Sequence, residues 1–208
     1  MEICRPKADF TSIGETIAEL EQLLLAIQTP VVQPCPHCQQ AQDRRCHWQC
    51  QDAPRALSSD PAAHPIEPHL LRLVFELNTL GVFQPCWSCQ GHADSRGALH
   101  RLPQIFFYCA RPLYAQLLHE HVEHLHHGGH LCGRWQIALA SLGQTLGVTY
   151  VLQPTPHERP LPELAALQQD LEMIGEALAS RLRVVAEARL ASLRMQQATA
   201  AAFYGQRL

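Results

Sequence analysis

QIFFYCARPLYAQLLHEHVEHLHHGGH, residues 104–130, holds two elements back to back. Gln104 to Cys109 is a β-branched and aromatic run, the composition of a strand. Pro112 then opens a helix that runs to about His127, where Gly128-Gly129 ends it. A strand delivered directly into a helix sets the fold class, and the flanks extend the pattern.

Upstream, a helix is expected from Glu67 to Leu80, with Pro68 in its first turn. Leu70, Leu71, Leu73, Val74, Phe75, Leu77 and Leu80 cover most of its circumference, so it belongs in the core. Gly81 stops it, and Val82 to Ser88 reads as a short strand. Downstream, Arg134 to Leu142 and Val148 to Gln153 read as two strands joined across Gly143 and Gly147. The order helix, strand, strand, helix, strand, strand predicts an α+β fold, a small mixed or antiparallel sheet with helices on one face.

Helices also bracket this core. Residues 12–28 are amphipathic, with Ile13, Ile17, Leu20, Leu24 and Ile27 on one stripe, a Ser12/Glu15 capping box, and Thr29-Pro30 as the stop. After prolines 154, 156, 160 and 162, residues 163–202 lack proline and carry acidic residues first and arginines later, which suits one long helix from Pro162 to about Ala202. Such a helix would span roughly 60 Å, against roughly 40 Å for the rest of the fold. It must break near Gly175 or pack on a partner, most simply a second copy, giving a homo-oligomer through the C-terminal helix. The implied division is 1–51, a helix with a cysteine-rich segment; 52–66, a linker; 67–153, the α+β core; and 154–208, a stiff connection and long helix.

Charge narrows the function classes. Among 208 residues, 16 basic and 19 acidic side chains leave a net charge of −3, so no general nucleic-acid binding is expected. The first residues lack a secretory pattern, and no apolar run reaches the ~18 residues of a membrane span, which predicts a cytoplasmic protein. Nine cysteines in a reducing compartment are not expected to form disulfides, so their spacing must explain them.

Cys35, Cys38, Cys46 and Cys50 form C-x2-C-x7-C-x3-C. Two close pairs separated by a reversible loop suit a tetrahedral zinc site, with His37 and His47 as alternative donors and a four-thiolate iron–sulfur cluster as the rival. The segment has little apolar material, so metal would supply much of its folding free energy. A second set, Cys86, Cys89 and His92 in CWSCQGH, offers at most three donors. Cys109 or Cys132 could supply a fourth, or the position could stay open as in catalytic zinc sites. Cys86 and Cys89 could instead be a redox pair or packed thiols, or combine with Cys35 and Cys38. Six histidines between His119 and His130 place His121, His124 and His127 along one helix face, but no H-E-x-x-H occurs. A polar face whose histidines suit the negative C-terminal end of the helix dipole is the preferred account of them.

The run LNTLGVFQPCWSCQGHADSRGALHRLPQIFFYC, then RWQIALASL and GVTYVLQP, resembles a family of bacterial proteins with C-W-S-C-x-G-H before a P-Q-x-x-F/Y strand. The likeness covers about residues 70–154 and implies no particular activity. Ser88-Cys89-Gln90-Gly91 is also similar to the S-C-S-G-R segment of wybutosine-synthesis tRNA methyltransferases, with His92 in place of the arginine. No GxSxG, P-loop or GxGxxG occurs, so serine hydrolase, nucleotide kinase and dinucleotide dehydrogenase have no motif behind them. The residues predict a zinc-binding regulatory or assembly module, open to a protein partner. The alternative is a metal- or thiol-dependent enzyme acting at Cys86, Cys89 and His92, with His100 or Cys132 nearby.

Overall fold

Gln104–Cys109 is a strand at the centre of a four-stranded antiparallel sheet. A computed structural model describes residues 10–27, 36–39, 50–51, 53–109, 111–143, 147–155 and 162–205. In chain order the elements are α1 (Phe10–Ile27), α2 (Leu71–Thr79) behind a 3-10 turn at Pro68–Leu70, β1 (Phe83–Cys89), β2 (His92–Ala93) and β3 (Leu99–Arg101). Then follow β4 (Gln104–Cys109), α3 (Pro112–His127), β5 (Trp135–Gly143), β6 (Gly147–Pro154), α4 (Leu164–Gly175) and α5 (Leu178–Gly205).

The sheet order is β1-β4-β6-β5, with β2 and β3 forming a separate two-stranded hairpin. The fold is α+β, as expected, and every ladder is antiparallel. Burial alternates along β4, because successive side chains of a strand face opposite ways. Ile105 and Phe107 enter the core with Leu152 of β6 and the apolar sides of α2 and α3. Phe107 meets Phe83 edge-on at 5.5 Å and stacks on Tyr150 at 5.9 Å.

The N-terminal helix departs from expectation at its start. α1 begins at Phe10, so Ser12 lies inside the helix, where its carbonyl accepts the Thr16 hydroxyl at 2.8 Å; the expected cap does not form. Of the two alternatives for the long C-terminal segment, the break near Gly175 is the one seen, giving α4 and α5. A Cβ on Gly175 would lie 2.9 Å from the Leu73 backbone nitrogen, so glycine lets α4 approach α2, and Ala177 turns the chain at φ 51°. The buried stripe of α5 (Leu182, Val185, Ala186, Leu190) belongs to the same core as Leu20, Leu23 and Ile27 of α1, which packs against it. These α5 side chains are thus covered within the chain.

Residues 53–67 are no free linker. Ala53, Ala56, Ser58 and Ile66 are buried, and Leu57 lies against β1: Ser88 donates its N–H to the Leu57 carbonyl at 2.8 Å. The segment covers an edge that would otherwise expose unpaired backbone groups. On the far side of the core, Asp170 of α4 is 2 % exposed and accepts three N–H groups: Cys132 and Gly133 backbone at 2.8 and 2.9 Å, and the Trp135 indole at 2.9 Å. This carboxylate ties α4 to the connection between α3 and β5.

Among the described residues, no helix is long and apolar enough to cross a membrane.

Candidate metal centre

Where β1 ends, the chain turns through Gln90 and Gly91 into β2, bringing Cys89 and His92 near each other. Gly91 has φ 85°, and a Cβ there would lie 2.7 Å from the Leu164 side chain and 2.9 Å from Pro103. Both the turn and the close packing therefore demand glycine. The third member arrives from the covering segment: Glu67, immediately before the Pro68–Leu70 turn. One donor atom each from Glu67, Cys89 and His92 lie within 4.8 Å of one another.

The carboxylate is held firmly. Glu67 is 1 % exposed; its Oε2 accepts the Gln90 N–H at 2.5 Å and its Oε1 accepts the Ser59 hydroxyl at 2.7 Å. The same hydroxyl lies 2.8 Å from His92 Nε2, which is 3.2 Å from Glu67 Oε1. Cys89 is fully buried, and its sulfur accepts the Gly91 N–H at 3.4 Å. His92 is the exposed wall, its side chain 40 % accessible.

Helix α4 clamps the turn. Gln168 donates to the Gln90 carbonyl at 3.3 Å, and the Gln90 side-chain oxygen accepts the His69 N–H at 3.3 Å. His69 Nδ1 in turn lies 2.7 Å from Glu172 of α4.

The donor set fits a divalent ion of the zinc type. Carboxylate oxygen, thiolate sulfur and imidazole nitrogen are all zinc ligands, and two ligands on one tetrahedral zinc lie roughly 3.3–3.8 Å apart. The His92–Glu67 separation is already close to that, and the Gly91 N–H offers the sulfur the contact a thiolate accepts. Three donors among the described residues leave one tetrahedral position over.

The other expected ligands lie elsewhere. Cys86 is on β1, three residues before Cys89, a displacement of roughly 10 Å along an extended strand. It does not belong to the group, so the C-x-x-C forms no knuckle. Burial pushes the Cys86 thiol above its ordinary value, only partly offset by the Trp87 backbone, which disfavours a redox thiolate. Cys109 pairs with Phe83 at the opposite end of β1 from Cys89, and its thiol donates to the Arg111 carbonyl at 2.9 Å. His100 and Cys132 are exposed, away from the group. Of the N-terminal set, Cys35 and Cys46 lie outside the described residues. Cys38 is half-buried in a turn, and Cys50 packs partly against the core. The histidine row on α3 holds no metal-ready trio among the described residues. His121 is buried, and His127 bonds the Glu123 carbonyl of its own helix at 2.8 Å.

Spacing placed Cys89 and His92 together but missed Glu67 and Ser59. Their only local sign is two polar residues in a proline-rich stretch.

Comparison with known proteins returns no match: no family model, curated protein or solved structure is similar to this chain.

Proposed function

We propose that this is a cytoplasmic zinc protein whose ion is held by Glu67, Cys89 and His92, and that the site is catalytic in type. The observation that carries it is the three-donor group with a hydroxyl already between two of its members. A structural zinc site closes with four protein ligands, whereas a catalytic one keeps a position for water or substrate. A zinc ion so held supplies a Lewis acid and lowers the pKa of bound water. Ser59 would orient a molecule at the open position, and the Gln90 N–H fixes the carboxylate so that it cannot swing away. Access is from the His92 side. Of the two functions expected from the residues, this composition favours the enzyme over the regulatory or assembly module.

A second zinc on Cys35, Cys38, Cys46 and Cys50 belongs to the same proposal and rests on their spacing alone.

The test is metal content per chain after anaerobic purification, by mass spectrometry with an absorption spectrum. Two colourless zinc ions are expected, one lost in Cys89→Ser or Glu67→Gln and retained in Cys86→Ser. Loss in Cys86→Ser with retention in Glu67→Gln would overturn the ligand set, and a brown sample containing iron and sulfide would overturn zinc.

A further inference from the structure

A second concavity, mostly apolar, lies between the end of α3 and the start of α5. It encloses about 250 Å³ and is lined by His121, His124, Leu125, His130, Arg181, Val184 and Val185. It shares no residue with the metal centre. Its composition is asymmetric: Leu125, Val184 and Val185 make an apolar wall, and among the described residues Arg181 is the one permanent charge and no carboxylate lines it.

Arg181 is under-compensated. Its Nη1 is buried with no hydrogen-bond partner, and its Nη2 is 4.0 Å from Glu176. Glu176 is shared with Arg72 at 3.9 Å, so one carboxylate faces two guanidiniums at long range. A buried guanidinium N–H left unpaired is costly, and the partner it matches best is a carboxylate in fork geometry. The surrounding field agrees. His121, 2 % exposed, bonds the Ile174 carbonyl through Nε2 at 3.3 Å; burial first, then the charges of Arg181 and His124, holds it down to about 4. At neutral pH it therefore adds no charge of its own and leaves the site's cationic character to Arg181.

We propose that this pocket binds a small carboxylate with a short aliphatic body, its anionic end on Arg181 and its hydrocarbon against Leu125, Val184 and Val185. Each half of the pocket answers one half of that ligand. The apolar wall disfavours a fully hydrated anion such as inorganic phosphate, because it offers such an anion nothing in exchange for its water. The guanidinium disfavours a neutral alcohol of the same length, which brings Arg181 no charge to pair with.

The experiment titrates the full chain with pentanoate, 1-pentanol and inorganic phosphate, following histidine ring and valine methyl resonances by NMR. Saturable shifts at His121, His124, Val184 and Val185 are expected with pentanoate, and at least tenfold weaker binding with the other two. Arg181→Gln should weaken pentanoate at least tenfold. Val184→Glu, at an exposed position that tolerates a polar side chain, should do the same and decides the matter if Arg181→Gln fails to fold. Non-saturating shifts, equal binding of pentanol or phosphate, or wild-type affinity in a folded variant would each overturn the proposal.

Discussion

Two buried carboxylates, Asp170 and Glu67, are almost equally hidden from water and yet differently furnished. Asp170 faces two backbone N–H groups and an indole N–H, donors that cannot give up their protons at any ordinary pH. Its valences are closed and its work is to pin α4 to the chain ahead of β5. Glu67 also accepts a backbone N–H, but its other neighbours are a hydroxyl, an imidazole and a thiol. The latter two can exchange a proton for a metal ion. Burial alone does not separate a structural acid from a ligand; the exchangeability of its partners does.

The largest expected effect breaks the closed site. Asp170→Ala leaves three buried N–H groups without an acceptor and should cost about 4 kcal/mol of stability, measured by urea denaturation. Glu67→Ala in metal-free protein, which orphans fewer donors, should cost about 2 kcal/mol. Equal losses would erase the contrast.

A third buried polar group sharpens it through pH. His121 has its folded value near 4, below the 6.5 of the unfolded chain, because burial, Arg181 and His124 oppose its charge. The unfolded state therefore binds the extra proton. The stabilisation is full above pH 6.5 and is lost as pH falls toward 4, about 3 kcal/mol in all. His121→Gln, which keeps an N–H for the Ile174 carbonyl, should flatten denaturation midpoints across that window. An unchanged slope would assign the acid sensitivity to other groups.

Zinc should act on the open site alone. At a hundred times its dissociation constant a ligand adds about 2.7 kcal/mol, expected as a rise in melting temperature for wild type. With ions bound elsewhere unchanged, Cys89→Ser should lose that increment and Asp170→Asn, if folded, should retain it. The smallest effect belongs to Ser59→Ala. It should cost about 1 kcal/mol and weaken zinc roughly tenfold, read by competition with a chromogenic chelator.

Much of the core could be read from residues, since its signals are local. Pro112 and Gly128 bound α3, and the alternation of QIFFYC marks β4 wherever it packs. The hairpin of β2 and β3 escaped notice because two or three residues carry no periodicity. The break near Gly175 was one of two alternatives that helix length left open, and its close approach to Leu73 supplies the reason that a lone glycine could not. The candidate metal site was half legible. Cys89 and His92 sit three residues apart across a glycine turn, but Glu67 and Ser59 reach them only because residues 53–67 lie along β1. The strand continues through Cys89, which sets Cys86 and Cys89 apart along β1.

The clamp of α4 on Gln90 and Gly91 has a kinetic corollary. Leu164 and Gln168 stand more than seventy positions along the chain from the turn they hold, so the centre cannot mature until that distant helix has docked. Such loops close late and open early. The exchange lifetime of the ion should therefore follow the hydrogen-exchange protection of residues 164–172, with release timed by the undocking of a helix that contributes no ligand.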